Sequence, residues 1–439
     1  MSVLRAVRDV ATDRPRASLT GAYAVQGFGF AVMLTHIPAY KDALGVGDDA
    51  ITLAFGCVCV AAGTGSALAG PVAARAGSRR VVTGGLVVAA LGVAAVGLAP
   101  TLPLFLAAFV LYGLVLGAVD AALNMQGVDL ERLRGTSLLG SFFAANAAGG
   151  VLGALAVSGV ELWGLGLGVS HALIAVVVLA AVALLAPGLV RTVVRGGPVA
   201  PAGRPGTPSG VVPDGGGSAV AGTSPTARAG APGAGAGVGA GVVVVLGVAM
   251  VAYPVGDSAV SSWGSVFLHD VLASGSVVAP LAYAAYQLAV IASRVAADTL
   301  VARLGRVRLV RSGGLLGTAG FVLVALSPHW SLALVGFAAV GLGIGVVAPM
   351  AFSAIGDRAR EVAAPGDLER VTDQALARLN VFTYVGAVLG GVLTGVFATA
   401  DHLRLGLVAL ALLASLSALL AGRFVEQRVP ADSGSVTAP

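Results

Sequence analysis

Residues 81–119 contain no Asp, Glu, Lys or Arg, and neither do residues 312–356. In lipid, the backbone polar groups of so long an apolar run must be satisfied internally, which favours the α-helix. At 1.5 Å per residue, about 20 residues cross the hydrocarbon core, so each run is long enough for two crossings. Pro100, Pro103 and Pro328 mark the reversals, and residues 17–40 and 50–74 are charge-free as well. A soluble domain is about 25% charged. This chain of 439 residues is 11% charged and 57% hydrophobic, with a mean hydropathy of +0.93, too little polar surface to cover itself in water.

The pattern predicts an all-α membrane protein of twelve transmembrane helices. They fall near 18–40, 50–72, 81–99, 103–125, 136–159, 168–188, 241–263, 277–300, 308–327, 331–353, 379–399 and 403–422. The basic N-terminus resembles a signal region, but its apolar stretch is too long for a cleaved one and reads as the first span. The net charge of +5 would suit nucleic acid, but its placement argues against that partner. With the N-terminus inside, Arg75, Arg79, Arg80, Arg303, Arg306, Arg308 and most other arginines fall on the cytoplasmic side. The outer loops hold only Lys41 and Arg404. This positive-inside bias predicts a multi-pass protein of the cell (inner) membrane with both termini cytoplasmic, and one lysine beside 25 arginines fits a GC-rich bacterial genome.

Shifting the chain by 228 residues aligns 75–119 with 303–347 without a gap, and sixteen of the 45 positions are identical. They include Arg75/Arg303, Gly77/Gly305, Pro100/Pro328, Phe109/Phe337, Gly113/Gly341 and Gly117/Gly345. The repeat divides the chain into two pseudo-symmetric six-helix halves of the same orientation, 18–188 and 241–422. Parallel halves of this kind are a recurring design of secondary transporters. Residues 189–240, rich in Gly, Pro, Ala and Ser, are expected to be a disordered cytoplasmic linker. Tails of 1–17 and 423–439 complete the domain plan.

The loop GPVAARAGSRR (70–80) resembles the signature of the major facilitator superfamily, Gly-x-x-x-Asp-Arg-x-Gly-x-[Arg/Lys]. Gly70, Arg75, Gly77 and Arg79 match, whereas Ala74 occupies the place of the aspartate. The resemblance implies a cytoplasmic gate that this aspartate helps to shut, weaker here or made by another acid. SRVAADTLVARLGRVR (293–308) is a variant in the second half, with Asp298 one helical turn before the equivalent position. DAALNMQGVDLER (120–132), SSWGSVFL (261–268) and GLGIGVVAPMAFSAIGDR (341–358) look like the fucose-permease-like branch of the superfamily.

Ionisable residues within the spans are the functional candidates. Asp257, after Tyr253-Pro254 in the seventh span, and Asp120 in the fourth are candidates for proton coupling. Asp120 has a second reading as a gate latch near Arg75, Arg79 or Arg294; its repeat equivalent is Ala348, so the scaffold does not require an acid there. The gate would comprise Gly70, Arg75, Gly77, Arg79, Asp120, Arg294, Asp298, Arg303 and Gly305. Arg294 and Asp298, four residues apart, can neutralise each other on one helix face. Gln26, Tyr253, Asp257, Trp263, Tyr286 and Gln287 are candidates for the substrate cavity, against interhelical bonding or interfacial anchoring. Asn124, Asn146 and Asn380 add neutral hydrogen-bonding groups, and Tyr23 and Tyr283 add aromatic ones. The five histidines map to the outer ends of spans or to outer loops.

No enzyme, metal, nucleotide or cofactor motif is present, and Cys57 and Cys59 read as small apolar residues. The expected protein is a monomeric secondary transporter of a small organic solute, by symport or antiport and proton-coupled, with the bilayer as its other partner. The solute is sugar-like or otherwise polar for uptake, or drug-like for efflux. A non-transporting membrane receptor or assembly factor on the same scaffold is the alternative.

Overall fold

The structure, a computed structural model, describes residues 13–134, 138–190, 238–364, 367–396 and 402–424. Nearly all of the linker 189–240 and most of both tails lie outside the described residues. The first block of helices comprises α1 (Arg14–Thr35), α2 (Ile37–Leu44), α3 (Asp48–Ala76), α4 (Ser78–Gly97), α5 (Leu102–Arg134), α6 (Leu139–Leu162) and α7 (Leu167–Leu185). The second comprises α8 (Ala240–Met250), α9 (Ala252–Val266), α10 (Leu281–Leu304), α11 (Arg306–Leu326), α12 (Trp330–Ile344), α13 (Val347–Val362), α14 (Leu368–Val396) and α15 (Leu403–Leu420). Among the described residues, ten helical runs are long and apolar enough to cross a membrane, and Leu281–Ala297 is a shorter apolar one. Leu53, Val60, Leu91, Leu152, Val176, Leu184 and Leu412 stand exposed on their outer faces. A soluble monomer rarely tolerates so much apolar surface; in lipid it is the natural exterior.

Prolines set the breaks. The predicted seventh span divides at Val251, because Pro254 has no N–H to offer the Met250 carbonyl. Pro349 does the same to the carbonyl of Gly345 and divides the predicted tenth span into α12 and α13. The first span lies nearer the N-terminus than 18–40: α1 starts at Arg14 and stops at Thr35, Pro38 cannot bond Leu34, and α2 begins after His36. Two helices outrun their apolar windows: α5 continues to Arg134, and α14 begins at Leu368 instead of 379. Their extensions carry Asp129, Glu131, Glu369, Arg370 and Asp373. Charge ends a hydrophobic window without ending a helix.

The 228-residue offset recurs in the packing. α1 lies on α6, α3 on α5, and α4 on both α5 and α7. In the second block α9 lies on α14, α10 on α12, and α11 on both α12 and α15. A Cβ at Gly113 would fall 3.0 Å from the Val58 carbonyl oxygen, and one at Gly341 would fall 2.4 Å from that of Tyr286. Val58 and Tyr286 are themselves 228 residues apart, so the shared glycines mark the same close approach twice. Gly77 and Gly305 each end one helix and start the next with positive φ, +85° and +75°. That backbone conformation strains any residue with a Cβ.

The two blocks meet along α6 against α10, α3 against α14, and α1 against α9. The buried polar side chains discussed next lie at these seams.

Candidate functional site

A polar side chain inside an apolar bundle is costly unless it finds a partner, so the buried polar residues group together. On the first block, Gln26 Nε2 donates to Asp120 Oδ1 at 3.1 Å. Asn146 Nδ2 donates to Gln26 Oε1 at 3.0 Å and to the Tyr23 carbonyl at 3.1 Å. Tyr23 in turn donates its hydroxyl to Asn124 Oδ1 at 2.8 Å. An ionised carboxylate only accepts, so Asp120 dictates which end of the Gln26 amide faces it. The Gln26 oxygen then dictates the orientation of Asn146. Asp120 Oδ2 is left buried without a partner.

On the second block, Gln287 Nε2 donates to the Tyr283 hydroxyl at 3.0 Å. Arg294 Nη2 donates to the Tyr253 hydroxyl at 2.5 Å, and its guanidinium lies 5.3 Å from the centroid of that ring. Asp257, one helical turn past the Pro254 break, is within electrostatic reach of Arg294 and of the Tyr286 hydroxyl.

Between the two sets is a cavity of about 20 Å³, lined by Gln26, Phe30, Leu116, Asp120, Asn146, Asp257, Tyr283 and Gln287. It has room for about one water, so the bundle is closed around it. Helices from both blocks supply its walls, and both spans' acids face it.

Several sequence expectations change here. Asp120 lines the cavity and bonds Gln26, and among the described residues it makes no ion pair with Arg75 or Arg79. Arg294 turns towards Tyr253, and the side chain of its expected partner Asp298 lies outside the described residues. Trp263 lies away from this cavity: it is buried against Phe55, with ring centroids 6.4 Å apart, in an apolar pocket shared with Phe267, Phe337 and Leu407. Tyr253 and Tyr286 stand behind Asp257, and Tyr283 with Phe30 takes the lining positions. Asn380 lies outside the described side chains. At the arginine-rich end, Arg75 and Arg303 are exposed, and Arg75, Arg79 and Arg303 make no ion pair among the described residues. Gly70 lies beside Met125 of α5.

The ion pairs at the two ends of the bundle involve residues outside the predicted gate. Arg306, the residue after Gly305, is buried and donates to Asp357 at 2.8 Å and to Ser353 at 2.9 Å. At the opposite end Lys41, on α2, donates to Asp48 at 2.5 Å and also to Asp270. Burial alone would lower the Lys41 pKa, but its bonds to Asp270 and Asp48 outweigh that and hold it above the ordinary lysine value. Asp270 also accepts from His269 Nδ1 at 2.7 Å. His36 and His171 are buried beside each other, with Tyr40 2.7 Å from His171 Nε2. The sequence offered one signal for the Lys41 site, the presence of a single lysine in the chain.

Residues 19–365 match the model of the Major Facilitator Superfamily. The chain is 26% identical over 414 residues to an uncharacterised transporter, y4wD, of Sinorhizobium fredii, covering 93% of this chain and 97% of that protein. It is 27% identical over 395 residues to an uncharacterised MFS-type transporter of Yersinia pestis, covering 89% and 91%. The fold is similar to that of the nucleoside transporter NupG, with a TM-score of 0.61 at 14% identity over 93% of this chain and 97% of the other. It is also similar to an auto-inhibited POT family peptide transporter, with a TM-score of 0.62 at 14% identity over 93% and 96%. The match over most of the chain, on a helical bundle with polar residues from both blocks around one buried cavity, establishes that this protein belongs to the Major Facilitator Superfamily, as a transporter of that type.

Proposed function

We propose that the protein is a proton-coupled secondary active transporter that moves a small organic solute across a bacterial cytoplasmic membrane. The observation that carries this reading is the polar cavity walled by Gln26, Asp120 and Asn146 from one block and by Asp257, Tyr283 and Gln287 from the other. A site shared by two bodies is exposed to alternate sides as they rock, and that is alternating access. The reading takes 18–188 and 241–422 as the two halves and twelve spans as the full count. The arginine-rich loops are cytoplasmic, and 189–240 links the halves on that side. The repeated packing and the shared glycine contacts support this division.

On this topology Lys41, Asp48 and Asp270 form the outer closure. Its partners come from both halves, so it must break before the outer side opens. Asp257 and Asp120 are the proton carriers: partly desolvated carboxylates beside a closing cavity can load and release protons as their surroundings change. The fucose-permease-like motifs favour a solute that hydrogen-bonds over one that is wholly apolar.

The test is reconstitution in proteoliposomes with solutes found by a thermal-shift screen. Counterflow that survives Asp257→Asn while accumulation driven by a pH gradient disappears supports the coupling role. Unchanged accumulation in the variant refutes it.

A further inference from the structure

The hydrogen-bond polarity of the cavity specifies what can enter it. The Asn146 amide has both hydrogens engaged, by Tyr23 and Gln26, so the group it can offer the cavity is its carbonyl oxygen. The Gln26 amide is directed onto Asp120 Oδ1, and that of Gln287 onto the Tyr283 hydroxyl. Asp120 itself is only 7% exposed and keeps Oδ2 buried and unpartnered. The lining thus offers Asp120 Oδ2 and the Asn146 oxygen as acceptors, while the Tyr283 hydroxyl, which accepts from Gln287, keeps its own O–H to donate.

Charge decides between an anionic and a cationic guest. Asp120 and Asp257 face the cavity, and Arg294 is the cation that reaches Asp257. The helices α3 and α4, which pack on α5, bring no charge to this depth, since 50–74 and 81–119 carry none. Among the described residues, the other polar groups beside Asp120 are Gln26, Asn146 and the phenols Tyr23 and Tyr283, all neutral. With both acids ionised the described side chains at the site carry one negative charge in excess, which an apolar surrounding does not tolerate. Something positive must accompany it.

Resting on the transporter reading above, we infer that Asp120 Oδ2 is an exchange point occupied either by a proton or by the ammonium of a monocationic organic amine. Because Oδ1 is held by Gln26, one oxygen serves both and the two occupants compete. The empty protein carries the proton on Oδ2. An arriving R–NH₃⁺ forms its N–H···Oδ2 bond as the Asp120 O–H proton leaves to water, so charge in the site is unchanged. A proton and a cation that exclude each other are carried in opposite directions, and the coupling is antiport. Solutes bearing a carboxylate or phosphate are excluded.

The probes are 2-phenylethylamine, 2-phenylethanol and 3-phenylpropionate, alike in shape and different in charge, added to the purified full-length protein in lipid nanodiscs. Calorimetry in buffers of differing ionisation enthalpy counts protons. The amine should release close to one proton per molecule bound, and its affinity should rise about tenfold per pH unit below the Asp120 pKa. Asp120→Asn should bind the amine weakly and independently of pH. An infrared band of a protonated carboxyl should vanish in Asp120→Asn and be bleached by the amine in the wild type. Proton uptake on binding, tighter binding of 3-phenylpropionate, or no amine binding overturns the inference. Counterflow of any solute from the screen would still uphold the transporter reading, so the two can fail separately.

Discussion

Lys41 and Asp270 lie 229 residues apart in sequence and form, among the described residues, the one ion pair that joins the first block of helices to the second. Lys41 is anchored on its own side by Asp48, in the first turn of α3. Both side chains are largely buried, so the pair is stronger than the screened pairs of an exposed surface. Lys41→Gln should raise the labelling of cysteines placed in the cavity by a membrane-impermeant reagent added outside. The swap Lys41→Asp with Asp270→Lys should restore closure. Equal labelling in wild type and Lys41→Gln removes the latch assignment.

The pH dependence of this latch follows from the raised Lys41 pKa. A group whose folded-state pKa is raised contributes fully below its ordinary value, about 10.4 for lysine, and loses its contribution only as pH rises through the higher folded value. Outside labelling of the cavity should therefore stay flat between about pH 7 and 9. A rise in labelling across that window would mean that another group controls the outer side.

Asp120→Asn keeps an oxygen for Gln26 and removes the charge. Folding should be preserved and thermal stability little changed, because the amide, like the protonated carboxyl of the empty protein, places no charge in the apolar bundle. Transport driven by a pH gradient should be lost. A variant that fails to fold while Asp120→Glu folds would make the residue structural.

Gly117 faces the Ala62 carbonyl so closely that a Cβ would fall 1.9 Å from that oxygen, whereas a Cβ at Gly84 meets nothing within 4 Å. Gly117→Ala forces α3 and α5 apart and should cost about 1–3 kcal/mol, seen as a lower melting temperature in detergent. Gly84→Ala, on α4, should be neutral or gain about 0.5–1 kcal/mol. Equal effects at the two sites would show that helix propensity, and not the crossing, sets the outcome.

Asp357→Asn leaves the buried Arg306 with reduced compensation and should destabilise by about 3 kcal/mol. Arg360→Ala removes the exposed partner of the same carboxylate and should change the melting temperature little. The order of the two effects is the measurement.

The sequence by itself determined that the chain is a bundle of apolar helices and that its two parts repeat. Three spans are broken or ended by prolines that lie inside the expected span boundaries. Apolar length, proline and glycine act over one or two turns, and these are properties of neighbouring residues. Gly77 and Gly305 were legible for that reason, as was the presence of acids that the scaffold does not need. What the acids face was not legible. Position 120 read as a gate latch near Arg75, Arg79 or Arg294, or as a proton site, and only the packing of α5 against α1 brought it to Gln26, 94 residues away. Trp263 read as a cavity aromatic or an interfacial anchor until packing set it against Phe55. Lys41 was a compositional oddity until α2 met the end of the second block at Asp270. A helix has one hydropathy pattern but many possible neighbours. The choice among them rests on the fit of whole faces, and hydrogen bonding follows that choice.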